Sequence, residues 1–148
     1  MTITLLDLLL ADDDTDDCFL FEEALKELPV SAKLTTVHDG VQLMQLLSAK
    51  ETPLPDALFL DLNMPRKSGF DCLSEMKAHE KLKQLPVIIF STSLDIAVVD
   101  LLYQKGAHHY IRKPGEYDNL KKVILDVVTR LLQNKLTQPA RDRFILEP

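Results

Sequence analysis

Three apolar runs in this chain end on charged residues whose side chains could share one site. Residues 8–11 precede Asp12 and Asp13, and residues 58–60 precede Asp61. Residues 110–111, followed by Arg112, precede Lys113 and Pro114. In an open parallel α/β sheet the ligand crevice lies outside the carboxyl ends of the strands, so residues that are distant in sequence converge there. Carboxylates and one amine in such a crevice suit a divalent cation and a phosphoryl group.

The acidic residues at two of these strand ends predict a magnesium site. Asp12, Asp13 and Asp61 would repel one another strongly unless a cation neutralised them. Mg²⁺ takes few protein carboxylates, keeps several waters and completes its octahedron with phosphate oxygens, which fits so small a ligand set. Ca²⁺ would require more oxygen ligands.

The strand-end residues also predict phosphoryl transfer to a carboxylate. Asp61 follows a buried apolar run, and its carboxylate oxygen could accept a phosphoryl group to form an acyl phosphate. Lys113 is held extended by Pro114, so that its ammonium could bind a phosphoryl oxygen. Ser91 ends another apolar run, and its hydroxyl could donate to the same oxygen, with Thr92 and Ser93 as nearby rivals.

The acidic residues after Asp13 have a simpler interpretation. Asp14, Asp16 and Asp17 open a helix, where side-chain caps and negative charges are favoured by free backbone amides and the helix dipole. We therefore assign them no chemistry.

The chain alternates apolar strands with amphipathic helices, which predicts a parallel sheet. The expected strands are 5–11, 32–38, 57–61, 87–91 and 108–111, and the expected helices are 15–28, 40–49, 69–79, 95–105 and 117–135. Right-handed crossovers leave few topologies. We predict a flavodoxin-like (βα)5 three-layer sandwich whose five-stranded parallel sheet has the order 2-1-3-4-5, with strands 1 and 3 at the switch point.

Chain length and net charge limit the classes of function further. A chain of 148 residues suits one domain, and its net charge of −6 disfavours attraction to nucleic-acid phosphates. The first apolar segment is too short to span a bilayer and leads into acidic residues, so we expect no membrane contact and a cytoplasmic location.

The joint pattern resembles the response-regulator receiver domain of two-component signalling. The resemblance implies Mg²⁺ held by Asp12, Asp13, Asp61 and the backbone carbonyl of Asn63. It implies phosphorylation of Asp61 by a sensor histidine kinase or a phosphotransfer protein, with Lys113 and Ser91 assisting. Ser91 and Tyr110 are the implied switch residues, and Tyr110 would turn inward after phosphorylation. The chain most resembles stand-alone receivers, whose output is a changed protein–protein interaction.

Two other functions stay open at this point. One is a metal-dependent phosphohydrolase that works through an aspartyl phosphate, although Asn63 stands where such enzymes carry a second, proton-shuttling aspartate. The other is a receiver that is not phosphorylated and only scaffolds a complex.

The later part of the chain carries two further expectations. Residues 1–135 form the receiver domain, and the fourth helix is apolar around too much of its surface for one buried stripe. We therefore expect a homodimer or kinase contact through helix 4, strand 5 and helix 5. Residues 136–148 form a tail that contains Phe144, Ile145 and Leu146, and we expect it to dock or to take part in a dimer.

Overall fold

The protein folds as a parallel α/β sandwich with helices on both faces of one sheet. The computed structural model describes residues 5–49, 53–134 and 136–148. The strands are β1 (Leu5–Ala11), β2 (Ser31–Val37), β3 (Ala57–Leu60), β4 (Val87–Ser91), β5 (His109–Arg112) and β6 (Ile145–Leu146). The helices are α1 (Thr15–Lys26), α2 (Gly40–Ser48), α3 (Gly69–Lys77), α4 (Ile96–Gln104) and α5 (Tyr117–Leu132), and a 3-10 turn covers Arg141–Arg143.

The sheet has the order β2-β1-β3-β4-β5-β6, and all its pairings are parallel. The predicted order of the first five strands is confirmed. The order reverses between β1 and β3, where Ala11 pairs with Leu60, so this edge is the switch point of the sheet. The residues that follow β1 and β3 are therefore side by side.

Side chains alternate along the strands and build a core on each face of the sheet. Leu9 and Leu58 join the core under α2, α3 and α4, whereas Leu8 and Phe59 join the core under α1 and α5. The central strands β3 and β4 are buried at every position. Because both faces are covered, these strands hold their carboxyl ends in fixed positions, which is what the site requires.

Four of the five helices begin at the predicted residue, α4 begins one residue later, and all five end one to three residues earlier than expected. Asp14 caps α1 by accepting a hydrogen bond from the Asp17 amide, and Asp39 caps α2 through the Gln42 amide. Residue 135, where the last predicted helix ends, lies outside the described residues. Among the helices of the described ranges, none combines the length and the apolarity that crossing a membrane needs.

The five-stranded prediction was wrong by one strand, because the chain's own tail adds β6. Ile145 pairs with Tyr110 and Leu146 with Ile111 along the edge of β5. The strand is only two residues long and follows Pro139 and alternating charges, so no period-two pattern announces it in the sequence.

The same tail crosses one end of α4. The Tyr103 hydroxyl donates to the Pro139 carbonyl at 2.7 Å, and the Gln138 amide donates to the Tyr103 carbonyl at 2.7 Å. Phe144 is fully buried, with its ring 5.2 Å from that of Tyr103 and 6.4 Å from that of Tyr110. The tail thus covers part of the surface formed by α4 and β5.

Candidate functional site

The acidic residues meet because β1 and β3 are neighbours. The Asp61 amide donates to the Ala11 carbonyl at 2.9 Å, and the Asp12 amide donates to the Val37 carbonyl at 3.0 Å. These hydrogen bonds continue the sheet pairing just beyond the strand ends. The backbone therefore fixes both aspartates at the switch point before any side-chain interaction is considered.

Three carboxylates gather there. Asp12, Asp13 and Asp61 each offer an oxygen, and these oxygens lie within 4.8 Å of one another. Asp12 is fully buried, Asp61 is nearly so, and Asp13 is exposed to solvent. Buried carboxylates this close repel one another, so the cluster requires positive charge nearby.

The donor set fits a hard divalent cation. Carboxylate oxygens are the ligands that such ions prefer, and exposed Asp13 leaves room on the solvent side for water or phosphate oxygens. Asp12 Oδ2 is buried, and the Lys113 ammonium, 2.7 Å away, is its charged partner among the described residues. A carboxylate has about four lone-pair sites, so a single ammonium leaves others for a cation.

Lys113 supplies positive charge beside these carboxylates from the chain itself. Its backbone amide donates to the Ser91 carbonyl at 2.7 Å, which anchors the end of β5 against that of β4. The Lys113 Nζ lies 2.7 Å from Asp12 Oδ2 and 3.6 Å from Asp61 Oδ2. Its side chain is only 10% exposed, and Nζ lies 5.5 Å from the centroid of the Phe90 ring. The ammonium is thus enclosed beside the carboxylates.

The carboxylates and the ammonium shift one another's protonation. Burial raises the pKa of Asp61 to about 6; Lys113 opposes this rise and Asp12 adds to it. Burial alone would lower the pKa of Lys113, but the adjacent carboxylates of Asp12 and Asp17 raise it above its ordinary value. At neutral pH the site therefore holds an ionised, basic Asp61 beside a charged Lys113.

The structure adds Asp17, to which the sequence analysis assigned no chemistry. Its amide takes part in the cap of α1, as expected, but its side-chain Oδ2 lies 2.9 Å from Lys113 Nζ. The sequence does carry a signal for this contact, since the first turn of α1 follows directly on the acidic strand end. A lysine that points toward that end from β5 reaches the same turn.

Ser91 and Tyr110 lie on neighbouring strands but make no contact of their own with the carboxylates among the described hydrogen bonds. Ser91 is fully buried, and its Oγ lies 3.3 Å from Ser93 Oγ. The Tyr110 hydroxyl donates to the Ser93 carbonyl at 2.5 Å, and its side chain is fully buried. Tyr110 is therefore already in the inward orientation that the resemblance placed after phosphorylation.

The loop after Asp61 is held tightly against it. The Asn63 amide donates to Asp61 Oδ1 at 3.3 Å, while the Asn63 side chain is exposed. A Cβ on Gly69 would lie 2.1 Å from the Asp61 carbonyl oxygen, so any larger residue would displace this backbone. Gly69 thus allows the start of α3 to approach the strand end that carries Asp61.

Comparison with known proteins assigns the family. The model of the response regulator receiver domain matches residues 8–125 of the chain. The chain therefore belongs to the response regulator receiver domain family. It is similar to response regulator Rcp1 from Synechocystis, with 30% identity over 137 residues that cover 90% of this chain and 92% of Rcp1.

Solved structures of two response regulators superpose on this chain. A phosphorylated cyanobacterial phytochrome response regulator, RcpA, superposes with a TM-score of 0.80 at 30% identity, over 88% of this chain and 96% of its own. The Mn²⁺-bound form of Rcp1 gives a TM-score of 0.76 at 29% identity, over 91% of this chain and 99% of its own. Receiver domains are switches that bind a divalent metal and interact with histidine kinases or phosphotransfer proteins.

The raised pKa of Asp61 predicts a pH-dependent cost to folding. Between the ordinary pKa of 3.8 and the folded value of about 6, the folded protein binds more protons than the unfolded chain, so stability falls as pH rises through this window. In metal-free buffer at pH 7, Asp61→Asn should therefore raise the free energy of unfolding by roughly 2–3 kcal/mol.

Urea unfolding with EDTA across this pH range measures the effect. The gain should shrink as the pH falls from 6 toward 3.8 and vanish well below 3.8, because Asp61 is then protonated in both states. Asp142→Asn, which removes an exposed carboxylate, is the matched control and should change little. An Asp61→Asn variant that is no more stable than wild type at pH 7 would contradict the assignment.

Proposed function

We propose that this chain is a phosphoacceptor switch in which Asp61 takes a phosphoryl group from the phosphohistidine of a sensor histidine kinase or a phosphotransfer protein. The observation that carries the proposal is the enclosure of the Lys113 ammonium between Asp12 and Asp61, at 2.7 and 3.6 Å, at the switch point of the sheet. A nucleophilic carboxylate and a cation for the transferred oxygens are thus side by side.

The proposed step is a displacement at phosphorus. An oxygen of the Asp61 carboxylate forms the new P–O bond, the P–N bond to the donor imidazole breaks, and the electron pair of that bond leaves with the imidazole. Lys113 pairs with an oxygen of the transferred group, and the Ser91 hydroxyl donates to another after it turns from Ser93. The raised pKa of Asp61 makes its carboxylate a better nucleophile than an ordinary one.

Mg²⁺ is the ion that we propose for the site. Asp12, Asp13 and Asp61, with the backbone carbonyl of Asn63, would hold it, and the bound ion would neutralise charge on the transferred oxygens. The chain's own contribution is a preformed set of ligands that the sheet positions. We further propose that the chain is not an enzyme acting on a separate substrate, because Asn63 cannot serve as a proton shuttle.

The phosphoacceptor assignment is tested by incubation with Mg²⁺ and a small acyl phosphate, followed by intact-mass analysis. Wild type should gain one phosphoryl adduct and Asp61→Asn none, because the amide that replaces the carboxylate is not a nucleophile. Asp71→Asn, which changes an exposed acid in α3, should be modified like wild type. An adduct on Asp61→Asn, or none on wild type, would contradict the proposal. Rapid release of phosphate from phosphomonoesters would favour the phosphohydrolase.

The output of the switch is proposed to pass through α4. Val99 and Leu102 face the core, but Ile96 is 56% exposed and Leu101 is 42% exposed, and Leu94 is exposed just before the helix. These exposed apolar side chains lie on α4 or just before it, and the tail contacts Tyr103 on the same helix. Contacts run from Ser91 through Ser93, Tyr110 and Phe144 to Tyr103 of α4. We propose that a second copy of the chain binds the exposed apolar side chains of α4.

Sedimentation velocity over a range of concentrations tests the dimer. Ile96→Glu should shift the protein to monomer, because a carboxylate would lose solvation in an apolar interface. Phe19→Glu is the matched control: Phe19 is 61% exposed on α1, at the opposite face of the sheet. A wild type that is monomeric throughout, or equal behaviour of the two variants, would contradict this interface.

A further inference from the structure

Lys113 is closer to Asp17 than to the proposed phosphoacceptor. Its Nζ lies 2.9 Å from Asp17 Oδ2 and 3.6 Å from Asp61 Oδ2. Asp17 is the third residue of α1, and its side chain is 31% exposed, so it contacts the ammonium from the solvent side. The ammonium is therefore bound by carboxylates from two directions, a strand end on one side and a helix start on the other.

Asp17 differs from the other carboxylates around Lys113 in one respect. Asp12 and Asp61 belong to the group of oxygens that can hold a cation, and Asp17 does not belong to it. When a divalent ion occupies that group, the oxygens of Asp12 and Asp61 are shared with the ion, and repulsion from the ion weakens their hold on the ammonium. Asp17 then remains a carboxylate partner of Lys113 that does not bind the ion.

The lysine side chain needs such a partner. Its four-carbon stem is flexible, and ordering it costs conformational entropy. The backbone contact with Ser91 fixes only the Lys113 main chain, and the Phe90 ring gives the ammonium a weak attraction at 5.5 Å. Without Asp17, a cation in the carboxylate cluster would favour release of the ammonium toward solvent.

We propose that Asp17 is a positioning residue that keeps the Lys113 ammonium beside Asp61 while the carboxylates of the strand ends hold a cation. This inference rests on the proposed function and refines it. Asp17 touches no reacting atom and acts through Lys113. Its loss should therefore lower the rate of phosphoryl transfer at saturating Mg²⁺ and leave the Mg²⁺ concentration for half-maximal rate nearly unchanged.

The chain offers a matched pair of variants. Asp16 and Asp17 are adjacent acids in the first turn of α1, but Asp16 is exposed and makes no ion pair with Lys113. Asp16→Asn and Asp17→Asn remove the same charge from the same helix end, so both lose the same interaction with the helix dipole. Any difference between them reports the contact with Lys113.

The experiment measures the initial rate of phosphorylation by a small acyl phosphate at saturating Mg²⁺. Asp17→Asn should be slower by about three- to tenfold, and Asp16→Asn should stay within about twofold of wild type. In a Lys113→Ala background, Asp17→Asn should have no further effect, because both changes remove one interaction. Asp17→Glu, which restores the charge, should recover part of the rate.

A second readout does not depend on phosphorylation. In ¹⁵N-detected spectra of Mg²⁺-saturated protein, the ammonium of Lys113 should give a slowly exchanging signal in wild type and in Asp16→Asn, and this signal should weaken in Asp17→Asn. Equal rates and equal ammonium signals for Asp16→Asn and Asp17→Asn, or a faster Asp17→Asn, would overturn the inference. A wild type that is never phosphorylated would instead overturn the proposed function, and the ammonium signals would still report on the contact.

Discussion

The site depends on one electrostatic constraint: carboxylates from two strand ends must share a small volume, and a single buried ammonium from a third strand end offsets their repulsion. Asp12 and Asp61 are fixed by backbone hydrogen bonds, so they cannot move apart. Burial raises the pKa of Asp61 to about 6; Lys113 opposes this rise, and repulsion from Asp12 adds to it. The carboxylates carry more negative charge than one ammonium neutralises. This excess favours the binding of a divalent cation and of the phosphoryl group that such a cation accompanies.

The rest of the fold holds this constraint in place and connects it to the surface. Both faces of β3 and β4 are covered, and Gly69 lets α3 begin against the Asp61 backbone. Beside β5, Phe144 of the tail is buried against Tyr110, and the Tyr110 hydroxyl donates to the Ser93 carbonyl. The inward Tyr110 and the docked tail therefore belong to one packed arrangement. Ser91 adjoins that arrangement through its contact with the Ser93 hydroxyl at 3.3 Å.

Much of this architecture could be predicted from the sequence because strong local signals agree with one another. Long apolar runs that end on Asp12, Asp61 and Lys113 define both the strands and the site, and parallel topology then requires that the strand ends converge. Two features could not be predicted from the sequence, for physical reasons. β6 is a two-residue strand that exists because Phe144 and Leu146 find cores to enter, which is a tertiary effect. The pairing of Asp17 with Lys113 depends on where a flexible side chain ends, and cap propensity alone does not encode that.

The carboxylates at the ends of β1 and β3 are expected to form one cation site beside Lys113. A crystal structure of this chain grown with Mn²⁺, with anomalous scattering used to locate the ion, would show whether they do. We expect one strong anomalous peak that contacts carboxylate oxygens of Asp61 and of Asp12 or Asp13, with the Lys113 ammonium still next to Asp61. A peak elsewhere, or no peak between these strand ends at millimolar Mn²⁺, would contradict it.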